Sequence, residues 1–276
     1  MSEGTVNTSP CTIYPFIHPF THSPILSFTH CPIPSLQRVG IISQARMTSS
    51  RLPGKVLRPV AGRPLLDYHV QRLQASELPV YLAITDRPTD NPLAEYAAQR
   101  RVPCTRGPED DVLARYQQCA AAHELEVIVR VTSDCPLIDG TVVAQAVRQY
   151  VAAGNPRLYL SNVLERTFPR GFDVEVFSRE LLEEAHQQAT SVSDREHVTP
   201  YIHQNRSGRV EFAHFYHEPD RSAYRLTVDT PDDFALIRTL VEDYRAAELT
   251  GDELIMLLDQ HPELVALNAH VEQKKL

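Results

Sequence analysis

"IISQARMTSSRLPGKVL", residues Ile41 to Leu57, ends an apolar run and turns at once into a loop with Arg46, Arg51 and Lys55 set among Thr48, Ser49 and Ser50. Small residues let backbone N–H groups approach oxygen atoms, and the cations supply charge, so the loop has the physical parts of a polyphosphate cradle. It carries neither G-x-x-x-x-G-K-[ST] nor G-x-G-x-x-G, and a solvated basic turn is the other reading of the same residues. Composition adds a pointer. Of 27 basic residues only Lys55, Lys274 and Lys275 are lysines, so an arginine-using body places a single compact ammonium, and places it here.

Outward from this loop, short β-branched runs alternate with amphipathic stretches. Pro64 opens a helix with Leu65, Leu66, His69, Val70 and Leu73 on one face, and "VYLAIT" (Val80–Thr85) reads as a strand. Asn91 and Pro92 read as the N-cap and first residue of a helix reaching about Arg101, and "GPEDDVLARYQQCAAA" gives a further helix after Cys104. "VIVRV" (Val127–Val131) is apolar enough for a central strand buried on both faces, followed by a helix around Val142–Val151. The alternation predicts an α/β fold with a mostly parallel, doubly wound sheet, helices on both faces and right-handed crossovers. Between Leu158 and Val228, "DVEVF", "VEFAHFY" and "YRLTV" predict a small antiparallel extension. Ser193-x-x-Glu196, Thr230-x-x-Asp233 and Thr250-x-x-Glu253 read as capping boxes.

Ligands of such sheets gather at the carboxyl ends of the strands. Gln44–Lys55, Thr85–Asp86 and Thr132–Asp134 are therefore expected in one crevice. Asp134 and Asp229 each follow a predicted strand, where they serve either as turn residues or as hard oxygen ligands for magnesium beside a polyphosphate.

The 276 residues are 42% hydrophobic and 22% charged, ordinary for a globular protein able to bury a core, and the net charge of −8 argues against a general nucleic-acid binder. Five cysteines without a C-x-x-C pair fit reduced thiols of a cytoplasmic protein, and no apolar run is long enough to span a bilayer. Residues 1–36 hold six prolines and one charged residue, Glu3, and read as a disordered extension before a single domain over 37–276. The irregular spacing of His18, His22 and His30 does not suit a metal site, nor does that of His197, His203, His214 and His217.

Six segments in order carry a family resemblance: "IISQARMTSSRLPGKVLRPVAGRPLL", "GPEDDVLARY", "VIVRVTSDCPLID", "SNVLERTFPRGFDVEVFS", "SDREHVTPYI" and "LTVDTPDDF". Together they resemble the acylneuraminate cytidylyltransferase family, which includes the enzymes activating sialic acids and Kdo, and within it the spore-coat polysaccharide cytidylyltransferases. The resemblance runs from about Arg38 to Leu276, including the closing "NAHVEQKKL". It implies a Rossmann-like nucleotide-diphospho-sugar transferase fold and transfer of CMP from CTP to an acidic sugar for surface polysaccharide synthesis. It implies that Arg46 and Lys55 grip the triphosphate with Ala45, Ser49, Ser50 and Arg51, and that Asp134 and Asp229 hold Mg2+. It further places Gly107 to Val112, among them Asp110 and Asp111, near cytosine, while Thr85, Asp86 and Ser133 are expected on the nucleotide from their strand-end positions. Arg170, Asp173, Glu175, Asp194, Arg195 and His197 would line the sugar side. The last helices, about Gly251–Val271, could supply a homodimer interface. Thr48 stands where the family loop usually has glycine, and a left-handed backbone there would be strained. A glycosyltransferase on a similar sheet and a non-catalytic nucleotide-binding protein are the rival functions.

Overall fold

The computed structural model describes residues 38–273; the expected extension over 1–36, with its three histidines, lies outside them. Strand β1 (Val39–Gln44) contains Ile41 and Ile42, both fully buried. Successive strand side chains point to opposite faces, so a sheet that buries both neighbours is covered on both sides.

From β1 the chain passes through β2 (Pro59–Val60), β3 (Arg63–Pro64), α1 (Leu65–Gln74), β4 (Val80–Thr85), α2 (Asn91–Arg100), β5 (Cys104–Gly107), α3 (Val112–Ala122), β6 (Val127–Thr132) and α4 (Gly140–Ala153). It continues through β7 (Leu158–Ser161), β8 (Glu175–Ser178), α5 (Arg179–Gln188), α6 (Val192–His197), α7 (Pro200–His203), β9 (Glu211–His214), α8 (Pro231–Tyr244), α9 (Gly251–Gln260) and α10 (Pro262–Ala266). The main sheet has the order β5-β4-β1-β6-β8-β7-β9, and β2 and β3 form a separate antiparallel pair. Only β8 runs against its neighbours; the other pairings of the main sheet are parallel. The fold is thus the mostly parallel α/β sheet expected. Tyr116, Ile128, Phe177 and Leu181 share one core cluster, Leu66, Val70, Leu93 and Tyr96 a second, and Phe172, Val228, Leu236 and Leu254 a third.

Several local expectations change. Asp90, not Asn91, occupies the N-cap position of α2, but its side chain does not cap the helix: the carboxylate is turned inward and accepts from Met47 N, Thr85 N and Thr85 Oγ1. The box at Ser193 does not form: α6 starts two residues earlier, and Ser191 Oγ accepts from Asp194 N at 3.1 Å. The boxes at Thr230 and Thr250 do form. "YRLTV" makes only an isolated bridge between Arg225 and Arg170, and β9 lies parallel rather than antiparallel to β7, because α5 to α7 return the chain across the sheet. Among the described residues no helix is long and apolar enough to cross a membrane, and Cys104, Cys119 and Cys135 are free thiols.

Candidate active site

Gln44 at the end of β1 pairs in register with Thr132 at the end of β6, so the loop after β1 and the Ser133–Asp134 turn start side by side. The loop closes on itself where Gly54 N donates to Met47 O at 2.9 Å, and Gly54 takes φ 68, a backbone that favours glycine. Leu52 and Val56 are buried on either side of that turn. They fix Lys55 between them, and its side chain points into the crevice. Thr48 does not take a left-handed backbone, so the strain envisaged there is absent; its hydroxyl donates to Glu109 across the crevice instead.

Lys55 is the centre of the arrangement. Its Nζ donates to Asp134 Oδ2 and to Asp229 Oδ1, each at 2.8 Å, although the two aspartates are 95 positions apart in the chain. Val228 N donates to Asp134 O at 2.8 Å, which pins the Asp229 turn against the Asp134 turn. Arg51 and Arg225 both reach Asp229 Oδ2, at 2.9 and 2.8 Å. Burial alone would raise the Asp134 carboxyl, but the Lys55 ammonium more than offsets it and holds it down at about 2. Lys55 is held above its usual range: burial pulls it down, and the two aspartates outweigh that.

Beneath this layer lies a buried relay. Cys135 O can only accept, so His69 Nδ1 carries the proton of their 2.8 Å bond, and His69 Nε2 accepts from Ser43 Oγ at 2.8 Å. Ser133 then donates to Ser43 at 2.7 Å. Burial pushes His69 down to about 4, so it stays neutral and the relay keeps its polarity.

Ala45, Arg46, Ser49, Ser50, Arg51, Lys55, Ser133, Asp134 and Asp229 line this one crevice, as their positions at strand ends required. Thr132, expected there as a strand end, supports them, and three residues that sequence reasoning missed, Glu196, Arg115 and Arg225, join or support them as well. Glu196 faces Arg46 at 3.8 Å; Arg115 lines the wall; Thr132 Oγ1 donates to Asp134 Oδ1 at 2.6 Å; Arg225 links Asp229 to Asp233. A signal existed for Arg115 alone, since α3 places it on the same face as Val112 and Cys119 by helical periodicity. Thr85 and Asp86 do not reach the crevice. Thr85 is buried holding Asp90, while Asp86, Asp110 and Asp111 line a separate depression. Gly107 is buried behind it, and its carbonyl accepts from Asp86 N at 2.8 Å.

Beyond Thr132 opens a second cavity of about 720 Å³, lined by Arg130, Arg166, Arg170, Asp173, Glu175, His197, Thr199 and His203. Its charges are mostly committed. Arg166 pairs with both oxygens of Asp173, and Arg130 pairs with Glu175, which also accepts from Tyr159 and Thr199. Arg170 has no side-chain hydrogen bond or ion pair to another described residue. Val198 is held at φ 70, ψ −54 in a three-residue turn, with Thr199 N donating to His197 O at 2.8 Å, so His197 and Thr199 both face the cavity. Asp194 and Arg195 are corrections to the expected sugar side. Asp194 is fully buried: its backbone N donates to Ser191 Oγ and its carboxylate accepts from Arg206, while Arg195 turns to Asp111 at 3.3 Å and to His186. Neither side chain lines the cavity, although His197 of the same helix does. Among the described residues no group of three or more His, Cys, Asp or Glu gathers as a metal cluster.

The model of the family described as "Cytidylyltransferase" matches residues 39–266. The chain belongs to the cytidylyltransferase family. It is 34% identical over 242 residues to the uncharacterized protein MJ1063 of Methanocaldococcus jannaschii, covering 86% of this chain and 96% of that one. It is 32% identical over 231 residues to the spore coat polysaccharide biosynthesis protein SpsF of Bacillus subtilis, covering 80% and 94%. A solved cytidylyltransferase from Leptospira borgpetersenii superposes with a TM-score of 0.79 at 31% identity over 87% of this chain and all of that one. This cytidylyltransferase is therefore an enzyme of the nucleotidyltransferase class, with the fold of its structural relative.

Proposed function

We propose that the protein transfers CMP from CTP to a hydroxyl of an acidic, nonulosonic-type sugar, releasing pyrophosphate, in the cytoplasmic stage of surface polysaccharide synthesis. The observation that carries this reading is the Lys55 ammonium, held by Asp134 and Asp229 opposite a loop with Arg46 and Arg51, beside a cavity with one uncommitted guanidinium. The polysaccharide role rests on the likeness to SpsF.

The donor set fits magnesium. Both carboxylates already converge on a single cation, and magnesium uses one or two carboxylates together with substrate phosphates. Asp134 and Asp229 would hold it, and the bound ion would supply neutralisation of the charge on the phosphate oxygens. The rest of the chemistry belongs to the chain. Arg46, Arg51 and the small residues of the loop bind and orient the triphosphate, and Lys55 stands ready for the charge that builds on the departing pyrophosphate. Arg225, held by Asp233 at 2.8 Å, keeps Asp229 aimed into the crevice.

Charge accounting in the second cavity favours a carboxylate acceptor over a sugar phosphate. Two of its arginines are neutralised by Glu175 and Asp173, and burial keeps His197 and His203 below their usual range, which leaves Arg170 as the cation to be matched by one negative charge. A guanidinium holds a carboxylate bidentately. The test is incubation of the purified protein with each nucleoside triphosphate against a panel of nonulosonic acids, reading pyrophosphate. CTP-selective release that needs an acid sugar is the expected result. CTP binding without turnover would favour a non-catalytic role, and consumption of a nucleotide-sugar a glycosyltransferase.

We also propose that residues 37–276 are the working unit. Removal of 1–36 is expected to leave CTP binding and cooperative unfolding unchanged, because β1 begins at Val39. A homodimer through the last helices is a further proposal, supported by the exposure of Met256 and Leu267 in that region and checked by sedimentation.

A further inference from the structure

After α10 the chain turns back to the second cavity. Asn268, 2% exposed, gives both hydrogens of its amide inward, to Arg225 O at 3.0 Å and to Asp233 Oδ1 at 2.8 Å. Val271 N donates to Asn268 O at 3.0 Å, and beyond this turn Gln273 lines the cavity together with Arg170 and Ser222. There Gln273 Oε1 accepts from Arg225 Nη1 at 2.6 Å. A guanidinium only donates, so this bond decides which way the amide lies: its oxygen faces Arg225 and its NH2 points away. Among the described residues that NH2 has no hydrogen-bond partner. Arg225 joins this tail to both pockets. Its Nε and one terminal nitrogen go to Asp233 and Asp229, while its backbone bridges that of Arg170. Leu226 N donates to Arg170 O at 2.7 Å and Arg170 N to Tyr224 O at 2.9 Å, so the uncommitted guanidinium and the uncommitted amide are carried on one bonded frame. Burial, with the charges of Arg166 and Arg225 nearby, lowers Arg170 below the usual arginine range, and Asp173 offsets this only in part, which favours an anion beside it.

We propose that Gln273 is a substrate-binding residue whose amide NH2 donates to the carboxylate that Arg170 holds on the acceptor sugar, which makes the C-terminal tail part of the acceptor site. The role rests on the acid-sugar reading of this cavity. The two ends of the amide then do different work. Its oxygen steadies the arginine that aims Asp229 into the crevice, and its nitrogen meets the substrate's negative charge. Asn268 anchors the tail so that Gln273 arrives already oriented, which spares the cost of ordering a long side chain when the sugar binds.

The experiment is steady-state pyrophosphate release by the full chain, with CTP and a panel of nonulosonic acids that includes Kdo and N-acetylneuraminic acid, alongside calorimetric titration by CTP alone. Gln273→Ala removes both ends of the amide and should raise KM for the acid sugar by about tenfold. Gln273→Glu keeps an oxygen for Arg225 but turns the donor into a negative charge facing the sugar. Its KM should rise at least as far as in Gln273→Ala, while CTP affinity and Tm stay at the wild-type values. A residue that only supports Arg225 behaves in the opposite way, because Gln273→Glu still satisfies the guanidinium and restores the wild-type KM. That rescue, or a loss of CTP affinity in Gln273→Glu equal to its rise in KM, overturns the assignment and leaves the acid-sugar reading standing. A wild-type protein that uses no acid sugar of the panel overturns that reading itself, and the role of Gln273 with it.

Discussion

The crevice proposed for the nucleotide and the neighbouring cavity proposed for the acceptor are both lined by arginines, yet they handle charge in opposite ways. In the crevice, Lys55, Arg51 and Arg225 crowd onto two aspartates, and Arg46 and Arg115 have at best a distant carboxylate. In the cavity, Arg130 and Arg166 are each closed by a carboxylate of their own, and Arg170 is left. A site for a highly charged triphosphate keeps its cations available. On the proposed reading, a site for a monoanionic sugar spends most of its cations on structure and leaves one.

The largest expected effects break the crevice. Asp134→Asn keeps the shape of the side chain and removes its charge, so turnover should fall by about 10²–10³-fold with unfolding little changed. Asp229→Asn should do the same, and the double variant should be little worse than either, as for residues acting as a unit. Steady-state pyrophosphate release checks all three. Lys55→Ala and Arg46→Ala should each cost about 10²-fold by the same assay, and near-normal rates in both would return the loop to a solvated turn.

Arg170→Ala tests the cavity by substrate rather than by rate. Loss of one charge-assisted contact should raise KM for the acid sugar by roughly tenfold or more while CTP affinity stays constant. An equal rise for CTP would mean that the two pockets are not separate in function.

Glu175→Gln sharpens the contrast through stability. It leaves Arg130 buried without its counter-charge, which should destabilise the fold by about 3–5 kcal/mol in denaturant unfolding. The pH dependence carries the same sign. Burial would raise the Glu175 carboxyl, but Arg130 and the hydroxyls of Tyr159 and Thr199 outweigh it and lower it below the ordinary glutamate range. Its contribution is therefore fully present above the unfolded value of about 4.3 and is lost as pH falls through the lower folded value. The wild type should lose stability on acidification through that window, and Glu175→Gln should flatten the loss.

The smallest effect lies outside both pockets. Ser178 caps α5 by accepting from Leu181 N at 3.1 Å, and Ser178→Ala should cost about 1 kcal/mol, or about 2–4 °C in Tm, without changing turnover.

What the sequence by itself determined is local. The break after Ile42 and the cations that follow fixed a strand ending in a charged loop. The buried apolar run before Asp134 fixed a central strand with a carboxylate at its carboxyl end. Periodicities of two and 3.6 operate over a few residues, so they can be read without knowing the fold. The capping boxes at Thr230 and Thr250 were legible for the same reason, whereas the one at Ser193 failed because Ser191 offered the same chemistry two residues earlier.

Only the tertiary structure decided which charges are free. Glu175 and Asp173 look as available in sequence as Asp134, and nothing local announces that Arg130 and Arg166 consume them. Asp194 stands one position from Arg195, yet one is sealed under Arg206 and the other faces Asp111. The convergence of Asp134 and Asp229 on Lys55 spans 95 positions and depends on the Val228–Asp134 backbone bond. The physical reason is range. Propensity and hydrophobic pattern act between near neighbours in the chain, while an ion pair is set by distance in space, which the packing of the whole sheet must first define.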